Sequence, residues 1–221
     1  MRTSLRTRSR NDEEKLQRRN AILDAAKKIL LSKGYEKATM DNIAREANLS
    51  RGLLYVYFND KDDILMGLAL RAGETLLDRM SSALATTSTG IDAVSALGEA
   101  YYQYYLNDYD HFQFLCMRMG LEAPKLQEKI TPTKEAMMAV EDQIMGLMSG
   151  AVEQGLKDGT INPSKVESPL QTAMFLRGSL HGVIMLQDTA GSSLFDRTDL
   201  DREELIRYAQ RIATEELRAK D

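Results

Sequence analysis

Apolar residues recur at three- and four-residue intervals along this chain, the spacing of helices that bury one face. Leu16, Ile22, Ala26, Ile29 and Leu30 place a first helix between Asp12 and Lys33, with Gly34 as its stop signal. Ile43, Ala44 and Ala47 mark a short second helix, and Leu54 with Phe58, at i and i+4, a short third. After Lys61 a long amphipathic helix runs through Ile64, Leu65, Leu68, Leu76, Leu77 and Met80, and fades in the loop from Thr86 to Gly90. Further helical segments run from Ile91 to Asn107, Tyr109 to Met119, Pro132 to about Lys157 and Pro169 to about Gln187. Pro124 punctuates the stretch before Pro132, and a loop from Gly191 to Thr198 precedes a final helix. That helix carries Leu205, Ile206, Ala209, Ile212, Ala213 and Leu217, with Asp199 or Asp201 as its cap. The expected fold class is all-α.

The stretch from Thr39 to Lys61 has a spacing that implies a specific chemistry. Thr39 can cap the first short helix, Asp41 suits its first turn, and Asn48 tolerates the left-handed backbone that ends it. Ser50 can cap the next helix, so the two are joined tightly enough to predict a helix-turn-helix. With Leu54 and Phe58 inward, Arg51, Gly52, Leu53, Tyr55 and Tyr57 face outward or toward the N-terminus of the second helix, where base edges are met. A plain helical hairpin in a bundle would normally expose Lys and Glu there instead. Arg51 is expected to read guanine and Leu53 to touch a thymine methyl. Thr39, Ser50, Tyr55, Tyr57 and Lys61 are expected to hold phosphates.

Charge sharpens this picture. Residues 1–61 hold 14 Lys and Arg against 8 Asp and Glu, whereas the remaining 160 residues hold 15 against 25. The basic end is thus the expected nucleic-acid end, and the acidic remainder should be repelled by phosphate. Arg2, Arg6, Arg8 and Arg10 lie among polar residues in 1–11, which predicts a flexible arm able to reach phosphates or a minor groove. No apolar run has the length of a membrane span, and the Arg-rich start lacks the apolar stretch of a signal peptide, so a cytoplasmic protein is expected. Cys116 is the single cysteine and excludes an internal disulfide. His111 and His181 are the only histidines, and no cluster has the spacing of a metal site. Without a phosphate-binding glycine loop or a nucleophile elbow, neither enzyme chemistry nor a cofactor is expected.

The pattern Thr39, Ile43-Ala44, Ala47, Leu49-Ser50, Gly52, Leu54-Tyr55, Tyr57-Phe58 and Lys61 resembles the DNA-binding segment of the TetR family of bacterial transcriptional regulators. Asn48 stands where the family usually has glycine, and Asn can adopt the same backbone. The resemblance implies a DNA-binding domain over residues 1–61, with Tyr35 in its small core, and a sensing and dimerising domain over 62–221. It implies that the helix after Lys61 relays ligand occupancy to the reading heads. Family pockets lie between helices corresponding to those rich in aromatic residues here, which makes Tyr101, Tyr105, Phe112, Cys116 and Met117 candidate ligand contacts. Met137, Ile144, Met148 and Phe175 are further candidates, with ordinary core packing as the alternative for each.

The last two helices resemble the pair that dimerises family members as a four-helix bundle. Phe175, Leu176, Arg177, Ser179, Leu180, Val183, Leu205, Ala209 and Ile212 are the residues implied for that interface. Arg177 departs from the family, where a large apolar residue is common, and needs an acidic partner from the other subunit or from an anionic ligand. The subunit pair is the favoured expectation. The function implied is a homodimeric repressor on a palindromic double-stranded DNA operator, released by a small, mostly apolar effector. A regulator without an effector and a helical small-molecule-binding module remain alternatives.

Overall fold

The computed structural model of the protein describes residues 2–122, 130–188 and 195–219. Pro124 and the first part of the Gly191–Thr198 loop lie outside the described residues. The chain is all-α. Its helices are α1 (Arg2–Lys37), α2 (Met40–Glu46), α3 (Arg51–Tyr57), α4 (Lys61–Leu84), α5 (Gly90–Asn107), α6 (Tyr109–Glu122), α7 (Pro132–Asp158), α8 (Pro169–Asp188) and α9 (Arg202–Leu217).

One expectation is corrected here. The flexible arm is replaced by helix, because α1 starts at Arg2 instead of Asp12. Once Leu23, Ala26 and Leu30 fix the packed part, each added residue gains a backbone hydrogen bond, and Arg and Leu are good helix formers. Two compact units are present, one of residues 1–72 with 110–137 and the other of residues 73–109 with 138–221. The cause of this grouping lies in α6, whose Phe114 is fully buried among Ile22, Leu30, Ile64 and Leu68, with Met117 packed against the same core. Sequence adjacency to the later helices hides such a return.

In the first unit, Gly34 breaks the geometry of α1 at φ 75° and ψ 161°, a combination that a residue with a Cβ avoids. The turn brings Tyr35 to the core edge, where its hydroxyl bonds the Asp62 carboxylate. Lys27 pairs with Asp110 at 2.9 Å, joining α1 to α6.

The second unit is anchored at the start of α5. Gly90 lies so close to α7 that a Cβ there would overlap the backbone nitrogen and Cα of Gly155. The backbone N–H of Gly90 donates to Asp158 Oδ2 at 2.7 Å, and that of Ile91 to Thr160 Oγ1 at 3.2 Å. The chain after α7 also meets the end of α9, through Asn162 N–H to the Leu217 carbonyl at 2.8 Å and Ala219 N–H to the Thr160 carbonyl at 3.0 Å. Asp201 caps α9 as expected, accepting from Glu204 N–H at 2.9 Å.

Gly90→Ala is expected to destabilise the protein by about 3 kcal/mol or more, because the obstacle is backbone and cannot rotate away. Gly146→Ala, in open space on α7, should instead stabilise by about 0.5–1 kcal/mol, and denaturant unfolding measures both. The Thr160 hydroxyl, and then the Gly90 N–H, hold the Asp158 carboxyl below its ordinary value of 3.8. A depressed folded value stabilises above the unfolded one and is lost as pH falls through the folded one. Asp158→Asn should therefore flatten the stability loss below about pH 3.8, read from acid unfolding curves.

Candidate nucleic-acid interface and cavity

Capping decides where the two short helices begin. Thr39 accepts from Asn42 N–H at 3.2 Å, and Ser50 from Leu53 N–H at 3.2 Å. Each cap uses a side-chain oxygen as acceptor and leaves the hydroxyl proton to donate outward. Asn48 takes the left-handed conformation at φ 54°, and Leu49 N–H closes the turn on the Ala44 carbonyl at 2.9 Å. Ile43 and Leu54 are fully buried, and Phe58 is buried beside them.

This packing turns Arg51, Gly52 and Tyr55 to solvent, while Leu53 and Tyr57 are half-buried. Gly52 faces open space, and Val56, on the same helical face, is 74% exposed. The sequence reading missed Val56. Its i, i+4 relation to Gly52 was the available signal. Arg51 meets Asp41 at 3.4 Å and donates to the Tyr55 hydroxyl at 3.3 Å. Both contacts are exposed, so they order the guanidinium without committing it. Lys61 is more occupied: its ammonium donates to the carbonyls of Tyr35 at 2.6 Å and Ala38 at 3.2 Å, and sits 4.0 Å above the Tyr35 ring. One of its three N–H donors is left for any phosphate.

The second unit holds a cavity of about 60 Å³ between α4, α5, α7, α8 and α9. Of the candidate ligand contacts, Tyr101 and Met148 line it. Ile144 is buried elsewhere, Tyr105 stacks on Tyr102 and meets Tyr109 edge-on, and Phe175 is exposed. Phe112, Cys116, Met117 and Met137 belong to the first unit. Leu176, Arg177, Ser179, Leu180 and Ala209, expected at the dimer interface, also line the cavity, together with Gly98 and Gln210, and Leu176, Ser179 and Ala209 border the open groove between α8 and α9 as well. Gln210 was missed because α9 reads as an interface helix, although this amide interrupts its apolar stripe.

Beside the cavity, the Tyr101 hydroxyl and His181 Nδ1 share a hydrogen bond of 2.7 Å. Burial pushes the His181 imidazole down from its ordinary 6.5, and the Arg177 guanidinium lowers it further, so it is neutral at pH 7. Arg177 Nη1 lies 3.5 Å from Met145 Sδ on α7.

The other side of α8 is uncovered. Leu170, Met174, Gly178, Gly182 and Leu186 follow one another at intervals of four, with Met174 61% and adjacent Phe175 66% exposed. A Cβ at Gly178 or Gly182 would meet nothing within 4 Å. Phe175, Val183, Leu205, Tyr208 and Ile212 border an open groove between α8 and α9.

A capped pair of short helices on an all-helical frame, presenting Arg51 and Tyr55, forms a helix-turn-helix. Residues 22–67 match the family model described as bacterial regulatory proteins, tetR family. It is 23% identical over 137 residues to the fatty acid metabolism regulator protein of Bacillus subtilis (strain 168), covering 61% of this chain and 71% of that protein. It is 26% identical over 133 residues to the transcriptional activator FasR of Mycolicibacterium smegmatis, covering 60% of this chain and 59% of that protein. Among solved structures, FadR of Bacillus subtilis in complex with stearoyl-CoA has the same fold, with a TM-score of 0.65 and 17% identity over 89% of this chain and 98% of that one. These relatives and structures of the same fold are transcriptional regulators, which are not enzymes. No helix among the described residues is long and apolar enough to cross a membrane.

Lys61→Met is expected to cost the first unit about 1–3 kcal/mol by orphaning the Tyr35 and Ala38 carbonyls, whatever it does to DNA affinity. Urea unfolding followed by tyrosine fluorescence checks this; an unchanged midpoint would return Lys61 to a purely DNA-facing role.

Proposed function

We propose that the protein is a ligand-responsive repressor that binds a palindromic operator as a homodimer and is released by a small, mostly apolar effector. The observation that carries the DNA-binding part is the outward face of α3, where the buried pair Leu54 and Phe58 leaves Arg51, Gly52, Tyr55 and Val56 to solvent. Arg51 reads guanine O6 and N7 with its fork, exchanging the exposed contacts to Asp41 and Tyr55 for the base. Leu53 and Val56 meet thymine methyls. Thr39, Ser50, Tyr55, Tyr57 and the remaining donor of Lys61 hold phosphates, fixing register without reading sequence.

Dimerisation uses α8 and α9. The glycine-centred apolar stripe of α8, with Phe175, Val183, Leu205 and Ile212, is large for a surface left in water, and Gly178 and Gly182 allow a close helix crossing. Two-fold symmetry then presents two copies of α3 to half-sites separated by roughly one helical turn or a related spacing. The effector occupies the second-unit cavity and favours the conformation in which the two copies of α3 no longer match the half-sites. It weakens DNA binding by its differential affinity for the two states. The Bacillus subtilis regulator named for fatty acid metabolism, and the solved structure of FadR from Bacillus subtilis with stearoyl-CoA, support a lipid-like effector chemistry.

Selection from a random DNA pool should return an inverted repeat, and Arg51→Ala should lose about tenfold to a hundredfold in affinity for it while relaxing one base position per half-site. Equal losses on selected and random DNA would reject the base-reading role. Phe175→Glu is expected to shift the sedimenting species from dimer to monomer and to abolish retardation of the selected DNA; a persistent dimer would place the interface elsewhere.

A further inference from the structure

The cavity of the second unit has an unusual balance of groups. Its wall is apolar at Val94, Leu97, Met148 and Leu180, yet it contains one full positive charge, Arg177. Among the described residues Arg177 has no ion-pair partner, and its recorded contact is the weak acceptor Met145 Sδ at 3.5 Å on α7. That contact directs the guanidinium toward its own bundle. Gln210 Nε2, which also lines the cavity, is buried and has no hydrogen-bond acceptor among the described residues. His181, nearby, is neutral and contributes no second charge.

A guanidinium whose recorded acceptor is a thioether, and an amide N–H2 with none, define what is missing in this apolar cavity: an acceptor that carries one negative charge. A guanidinium fork fits the two oxygens of a carboxylate and balances a single charge, whereas a phosphate dianion would call for a second cation. Size narrows the class further. About 60 Å³ is room for about five waters and is well below the roughly 300 Å³ of a drug-sized pocket. A long acyl chain does not fit in this form of the cavity.

We infer that this cavity binds a small apolar monocarboxylate, its head held by Arg177 and Gln210 and its body against Val94, Leu97 and Leu180. The inference rests on the ligand-responsive reading above and names the chemical class of the effector for the same site. It also reverses the expectation that Arg177 pairs with the other subunit.

The test is calorimetric titration of the full-length protein with hexanoate and benzoate, each beside its neutral amide, hexanamide and benzamide. The carboxylates are expected to bind at least about tenfold more tightly than the amides, the usual margin of a charge-assisted bond. Arg177→Met should abolish that preference by weakening the carboxylates far more than the amides, and Gln210→Leu should weaken both. Equal binding of acid and amide, or no binding of either carboxylate, overturns the inference. So does an Arg177→Met protein that dissociates to monomers in sedimentation yet still prefers the acids, because Arg177 then serves the partner subunit. If Arg177→Met fails to fold, the acid-to-amide comparison on the unaltered protein and the Gln210→Leu titration decide. Retardation of the selected DNA is measured on the same preparations. Retention of DNA without carboxylate binding rejects this inference alone, and carboxylate binding without any DNA binding rejects the regulator reading.

Discussion

The burial of Leu54 and Phe58 against Ile22, Ile43 and Ile64 is the constraint on which the DNA-facing geometry depends. Helix α3 has seven residues, too few to be stable alone, so its orientation is set by what it buries. Once those two side chains turn inward, the 100° step of the helix leaves Arg51, Gly52, Tyr55 and Val56 no direction but outward. The Ser50 and Thr39 caps and the left-handed Asn48 then fix where each helix starts and stops. Lys61 tightens the same unit from the far side by holding the carbonyls of Tyr35 and Ala38.

The second unit solves a different problem with small residues. Gly90 and Gly155 let α5 and α7 approach at backbone distance, and Asp158 with Thr160 satisfies the N–H groups that this approach would otherwise strand. Along α8, the same residue type has the opposite surroundings: Gly178 and Gly182 face empty space within an exposed apolar stripe. One helix therefore has two faces of different character, an inner one with Arg177 and Leu180 at the cavity and an outer one with Met174 and Phe175 uncovered.

Local chemistry was legible and long-range placement was not. Asn48, Gly34, Thr39, Ser50 and Asp201 act on neighbours within a few residues, and each stands where its side-chain chemistry required. The inner positions of α2 and α3 followed from a period of three to four residues. Burial alone does not say what lies opposite a residue: Tyr101 and Met148 meet a cavity, while Ile144 is buried away from it. Several residues expected at the interface line the cavity because a helix packed on one side and uncovered on the other has apolar residues on both.

The sequence by itself determined the all-helical class and the helix-turn-helix, since these rest on periodicity, caps and turn residues that act over one or two turns. Only the tertiary structure decided that α6 returns to the first unit through Phe114, that Gly90 sits against Gly155, and that Arg177 and Gln210 line a common cavity. Those outcomes depend on which faces meet across tens of residues of chain, and the energy that selects among them is a sum over many contacts that no local spacing encodes.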